Sequence, residues 1–207
     1  MYVGHILENE PRKMSEFDPT AVVQFARRYL ETIKEPRRRQ ILQNFIDHAE
    51  AEALGNYDAL MESCSRKQQH YASYGSRFGA PQSYAELEEH YRGLIASNIY
   101  VIHFEPEKLI VGEDELVIEG LVHQLYPGEL IEPMYGFKVD DPTAVYQATK
   151  RTCVFFVFDE EGLGAGEHSY SDGLLTADDL VKLAPEEVPE IFHSNPLGGD
   201  AAAAGVP

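Results

Sequence analysis

Basic residues are scarce in this chain: 17 lysines and arginines face 35 aspartates and glutamates over 207 residues, a formal charge of −18. A field of that sign repels phosphate backbones and anionic lipid, so neither nucleic acid nor a membrane surface is expected as a partner. The basic cluster Arg37-Arg38-Arg39 is too short to reverse this. Cysteine is nearly missing as well. Cys64 and Cys153 are too few for a disulfide framework, and nothing sets them at metal-ligand spacing. Cys153 lies in an apolar strand and reads as a buried, inert thiol. No apolar run approaches the ~20 residues of a membrane span. Glu8, Glu10 and Pro11 stand where a signal peptide would be apolar, so the expected location is cytoplasmic. No glycine-rich phosphate loop precedes a helix, and no cofactor is expected. What is present is ordinary for a folded domain: 43% apolar residues and a length sufficient for one core.

Periodicity divides the chain in two. Asp18-Pro19 reads as a helix start, followed by Val22, Val23, Phe25, Ala26, Tyr29, Leu30 and Ile33 at helical spacing and a stop at Pro36. A second helix is expected from Arg37 to Leu54, with an apolar stripe of Ile41, Leu42, Phe45, Ile46 and Ala49 and a stop at Gly55. Asn56 can cap a short third helix, residues 67–74 read as a strand, and Ser83 with Glu86 forms a capping-box pair. The period then changes to 2, giving strands at 99–104, 108–111, 115–125, 145–158 and 163–171. The segment 126–144, with three prolines and two glycines, is long enough to be a lid, a binding loop or an insertion. Residues 1–17 read as an N-terminal extension, 18–194 as a single domain, and 195–207 as a flexible tail. Helices followed by antiparallel strands point to an α+β layer fold.

Three stretches give this order a likeness: ILQNFIDHAEAEALGNYDALMESC at 41–64, YGSRFGAPQSYAELEEHYRGLI at 74–95 and CVFFVFDEEGLGAGEHSYSD at 153–172. Together they resemble the NTF2-like superfamily, in particular its ketosteroid-isomerase and SnoaL-like polyketide-cyclase branches. The resemblance implies a cone in which a strongly curved sheet wraps against the helices and leaves an apolar pocket. It implies that Val117, Glu119, Leu121 and His123 face that pocket. It also implies that Leu116, Ile118 and Val122 cover an outer face, so a homodimer through this face is expected. His48 falls where ketosteroid isomerases carry a tyrosine donor, and helical spacing from Phe45 also turns it inward. The resemblance places His70 and Tyr74 inward on the first strand. The two family acids fall on Ala72 and Val154, which puts the isomerases' own route in doubt. On the last strand, counting from the turn at Gly162 points Glu167, Ser169 and Ser171 inward. Matching the cyclases' E-H-W-D text instead points His168, Tyr170 and Asp172 inward, since a one-residue slip exchanges the faces.

The expected catalytic set is therefore Glu167, His123, Glu119, His70, Tyr74 and His48, walled by Val117, Leu121, Phe45, Val154, Phe156 and Phe158. His5, His90 and His193 read as surface residues. Several unpaired ionisable groups in an apolar cone would be costly without a task. A carboxyl with a raised pKa beside an imidazole suits proton transfer next to a carbonyl. The expected activity is dehydration, isomerisation or ring closure on an apolar, carbonyl-bearing molecule of polyketide or terpenoid type. A non-catalytic pocket for a hydrophobic small molecule is the alternative. A metal site is disfavoured, because Glu119 and His123, four residues apart on one strand, are separated by about 13 Å at ~3.3 Å per residue.

Overall fold

A computed structural model describes residues 17–76 and 78–197, so the expectations for residues 1–16 and 198–207 lie outside the described residues. The first helix, α1 (Ala21–Leu30), starts later than Asp18-Pro19 suggests. Asp18 instead accepts hydrogen bonds from the backbone N–H and hydroxyl of Thr20, at 2.8 and 2.7 Å. Pro36 is the first residue of α2 (Pro36–Ala53) rather than a stop, because its missing N–H is no loss at that position. The α2 stripe of Ile41, Leu42, Phe45, Ile46 and His48 is buried. Gly55 adopts φ +63°, and a Cβ there would meet Pro196 at 2.7 Å, so glycine is required on two counts. Asn56 caps α3 (Tyr57–Glu62), and Ser83 caps α4 (Tyr84–Ala96) by accepting from the Glu86 N–H. The Glu86 carboxylate closes back one residue early, on the Gln82 N–H at 2.8 Å.

The strands are β1 (Ala72–Tyr74), β2 (Ile102–Val111), β3 (Glu115–Pro127), β4 (Val145–Phe158), β5 (Gly164–Ser171) and β6 (Leu180–Lys182). They form a six-stranded sheet ordered β1-β5-β4-β3-β2, with β6 on the other half of β4. β1 is parallel to β5 and the remaining pairs are antiparallel. Only the end of the expected first strand joins the ladder. Before it, Gln69 is tied to the carbonyls of Ser65 and Gly164, at 2.7 and 2.9 Å. β2 runs through Pro106 with a register shift before Lys108, which an edge strand tolerates. The segment 126–144 is not a bare loop, since it contains α5 (Gly128–Tyr135), ended by Gly136 at φ +78°. Among the described residues, no helix is long and apolar enough to cross a membrane.

The sheet faces are the reverse of the expectation for β3. Leu116 and Ile118 have no exposed surface and pack with Phe45, Ile41 and Val154 beneath α1 and α2. The row Leu116, Ile118, Val122 is thus the inner face and cannot form the expected dimer surface. Val117, Glu119, Leu121 and His123 lie on the opposite face. The Glu119 carboxylate there is held by Lys108 at 2.7 Å and Arg151 at 3.2 Å. Its charge is answered by neighbouring strands on the exposed side, which removes the reason to place it in a pocket. Alternation defines two rows but does not say which row meets the helices.

This assignment predicts unequal costs for neighbouring substitutions. Ile118→Ala should destabilise the fold by about 2–5 kcal/mol through loss of buried methylenes and a residual cavity. Val117→Ala should cost a fraction of that. Urea unfolding of both variants checks it, and equal losses would reverse the faces.

Candidate functional site

One helix face starts the site. Phe45, His48 and Glu52 follow at helical spacing on α2, so they share a side. His48 is buried. Its Nδ1 lies 2.8 Å from the Ser63 hydroxyl oxygen. That hydroxyl donates its own hydrogen to the Leu60 carbonyl at 2.6 Å. Ser63 can therefore only accept from His48, which puts a proton on Nδ1 and turns Nε2 toward the sheet. There Nε2 is 3.1 Å from the Tyr91 hydroxyl and 3.5 Å from Glu167 Oε1. Tyr91, on α4, donates to the same carboxylate oxygen at 3.2 Å. The Tyr71 hydroxyl lies 3.4 Å from that of Tyr91. Glu167 reaches this cluster because β5 pairs Glu167 with Phe156, on the inner face of β4.

Burial opposes the charged form of His48. Hydrogen bonds to Cys64 and Glu167, with their charges, outweigh it and hold the imidazole well above its ordinary pKa. Glu167 is the better-founded cause, since Cys64 Sγ is 3.8 Å from Nδ1, behind the nearer Ser63 oxygen. Burial pushes the Glu52 carboxyl up to about 7, with His48 pulling it down and Glu167 adding to the rise. Burial likewise raises the phenols of Tyr71 and Tyr91 well above their usual value, so both remain neutral donors. Burial lowers His90, with the charge of Glu167 opposing.

Two cavities meet here. A small one, about 100 Å³, is lined by Glu52, Tyr71, His90, Tyr91 and Glu167, among others. A larger one, about 340 Å³, runs under α5 between Leu94, Ile99, Tyr126, Met134 and Lys150. They share the walls Ser73, Gly79, His90, Leu94 and Ser169. Among the described residues, no group of three histidines, cysteines or carboxylates could hold a metal ion.

Of the six expected catalytic residues, the structure brings His48 and Glu167 together. Phe45, Phe156 and Phe158 lie directly behind them, and Val154 is buried in the same core. The other four are elsewhere. His70 is exposed on the outer face, 5.3 Å from the His168 ring. Tyr74 stacks on Tyr170 at 4.6 Å, half exposed at the rim of the larger cavity. Glu119 belongs to the outer ion cluster with Lys108 and Arg151. His123 is buried behind the sheet, 2.8 Å from the Thr149 hydroxyl and 3.5 Å from Glu105. Val117 and Leu121 share that outer face, so they do not wall the site. His168, Tyr170 and Asp172 also face outward, where His168 and Tyr170 oppose Phe155 and Cys153. The turn at Gly162 gave the right register for β5. Along the first strand the inward positions are Tyr71 and Ser73, one residue from the expected ones. His90, expected at the surface, lines both cavities. Glu52, Tyr71 and Tyr91 were missed. Glu52 was detectable as the i+4 neighbour of His48, and Tyr91 as the i+4 neighbour of the buried Leu87 on α4.

The raised carboxyl has a consequence for stability. Glu52 ionises near 7 when folded against 4.5 ordinarily, so the folded chain holds the extra proton. Its stabilising effect is complete below pH 4.5 and is lost as the pH rises through about 7, by about 3 kcal/mol at most. Glu52→Gln should therefore be more stable than the wild type at pH 8 and lose that advantage at pH 4.5. Urea titrations at the two pH values test this, and an identical pH dependence in both proteins would refute the raised carboxyl.

No family model matches the chain, and no curated protein matches it. Solved structures do. A protein assigned as a SnoaL-like polyketide cyclase from Shewanella putrefaciens CN-32 aligns over 78% of this chain and 92% of its own, with 13% identity and a TM-score of 0.53. A second, from Shewanella denitrificans OS-217, aligns over 67% and 92%, again with 13% identity and a TM-score of 0.53. An NTF2-like protein from Burkholderia xenovorans LB400 aligns over 68% and 95% with 11% identity and a TM-score of 0.47. At such identities the likeness is one of fold: this chain is an α+β protein whose fold is similar to that of the two Shewanella structures.

Proposed function

We propose that this chain is a cofactor-independent acid–base enzyme, a dehydratase, isomerase or cyclase, acting on an apolar, carbonyl-bearing small molecule of polyketide or terpenoid size. The observation that carries the reading is that Glu52, Tyr91 and Glu167 line the smaller cavity together with His90, and that His48 meets Tyr91 and Glu167 from behind. Glu167 is the base. It takes a proton from the carbon next to the carbonyl, and Tyr91, no longer needed as its donor, turns its hydroxyl to the developing enolate oxygen. His48, protonated and fixed by Ser63, supplies positive charge behind Tyr91. Glu52, with a pKa of about 7, is the group that can be protonated at neutral pH and deliver its proton to a leaving hydroxyl, which departs as water. In an isomerisation the proton returns to a different carbon. Relative to the expected set, Glu52 and Tyr91 stand in place of His123 and Tyr74.

A hydrophobic-ligand carrier is the competing reading. It is favoured by the larger cavity, which lies beside the acid–base cluster rather than upon it.

Exchange of α-protons for deuterium in apolar ketones such as 2-decalone, followed by NMR, separates the two readings without knowledge of the natural substrate. The enzyme reading expects exchange catalysed above the rate in buffer. Glu167→Gln should slow it by about 10²-fold or more, the usual contribution of a positioned base. Exchange no faster than in buffer, or unaffected by Glu167→Gln, rejects it in favour of the carrier.

A further inference from the structure

The inner row of β4 places a cation on the wall of the larger cavity. Lys150 pairs with Val122 across the ladder and lines the space under α5. Among the described residues lining the two cavities, it is the only lysine or arginine, in a chain of formal charge −18. Its ammonium meets the Asp179 carboxylate at 2.9 Å, and the two side chains are only 20% and 26% exposed. The second Asp179 oxygen is already committed, accepting from the Thr176 N–H at 2.7 Å and its hydroxyl at 2.8 Å. An ammonium carries three donors. Two remain, and no second acceptor meets them among the described residues. Thr152 and Ser171, further along the same inner face, add hydroxyls to that wall. Leu94, Ile99, Met134 and Leu175 supply apolar surface around it.

We propose that Lys150 is a carboxylate-binding subsite, and that the ligand of this cavity is an amphipathic acid whose apolar body lies under α5. A carboxylate adds the Coulomb attraction of a full opposite charge to the hydrogen bond, which a neutral hydroxyl lacks, so a half-buried ammonium with open donors selects an acid over the alcohol of equal length. The proposal rests on the acid–base reading only in fixing which end reacts. Lys150 and Phe156 are six residues apart on β4, about 20 Å at ~3.3 Å per residue. Phe156 is the partner of Glu167. The carboxylate is therefore held at the end of the ligand far from the reacting carbon.

The test is competition by decanoate and by 1-decanol against Nile red fluorescence, using the full chain at pH 8. Decanoate should bind at least about tenfold more tightly than decanol. Lys150→Met should abolish that preference and leave decanol binding unchanged. Asp179→Asn keeps an acceptor for Thr176, frees the third ammonium donor and should tighten decanoate binding severalfold. Equal binding of the two probes, a preference that survives Lys150→Met, or an Asp179→Asn variant that does not gain decanoate affinity would overturn the subsite. The ketone exchange assay answers separately: a wild-type chain without the acid preference but with exchange rejects only the subsite, and a wild-type chain with the preference but without exchange rejects only the acid–base reading.

Discussion

The register between β3 and β4 is the constraint on which the rest of the structure depends. It runs without a break from Glu115 opposite Val157 to Pro127 opposite Val145. Each step sends one cross-strand pair to the helices and the next to the outer face. The pair Leu116 and Phe156 therefore lies under α2, and β5 brings Glu167 to the same face beside Phe156. A slip of one residue would bury Glu119 with Lys108 and Arg151 and expose Ile118, at a cost of many kcal/mol. Burial of the even row forbids it.

That register determines the electrostatics of the site. Glu167 is delivered from the sheet, His48 and Glu52 from α2, and Tyr91 from α4, so three elements bring ionisable groups to one partly desolvated volume. The buried imidazole is tolerable because both ring nitrogens have partners: Ser63 on one side, Tyr91 and Glu167 on the other. Among the described residues Glu52 has no comparable set of donors, and burial makes its carboxyl hold its proton to a higher pH.

The apolar and ionisable parts of the interior are side by side rather than mixed. Phe45, Phe156 and Phe158 close the space behind His48 and Glu167. Met134 and Tyr135 of α5, with Tyr126 of β3, line the larger cavity. Gly166 permits the junction between them, since a Cβ there would lie 2.0 Å from the His70 carbonyl oxygen. The chain before β1 can approach β5 only at such a residue, and that approach carries Tyr71 to the cluster.

The sequence by itself determined the order of the helices and strands apart from α5 and β6, the α+β class and the inward stripe of α2 with His48 on it, and it left two faces open for β5, one of them carrying Glu167. These follow from local rules: a period of 3.6 or 2, a capping serine or asparagine, a glycine turn that sets a count. The tertiary structure decided what no local rule contains. Which row of β3 meets the helices depends on how the whole sheet packs, so Glu119 and His123 left the site and Leu116 and Ile118 entered the core. Where β1 begins depends on the ties of Gln69 to a distant strand, so Tyr71 replaced His70 and Tyr74. Glu52, Tyr91 and His90 are polar residues on amphipathic helices, and their patterns alone read as solvent-facing. Only the packing of α4 against α2 and β5 turns them into one desolvated cluster, because burial and proximity are properties of the assembled fold.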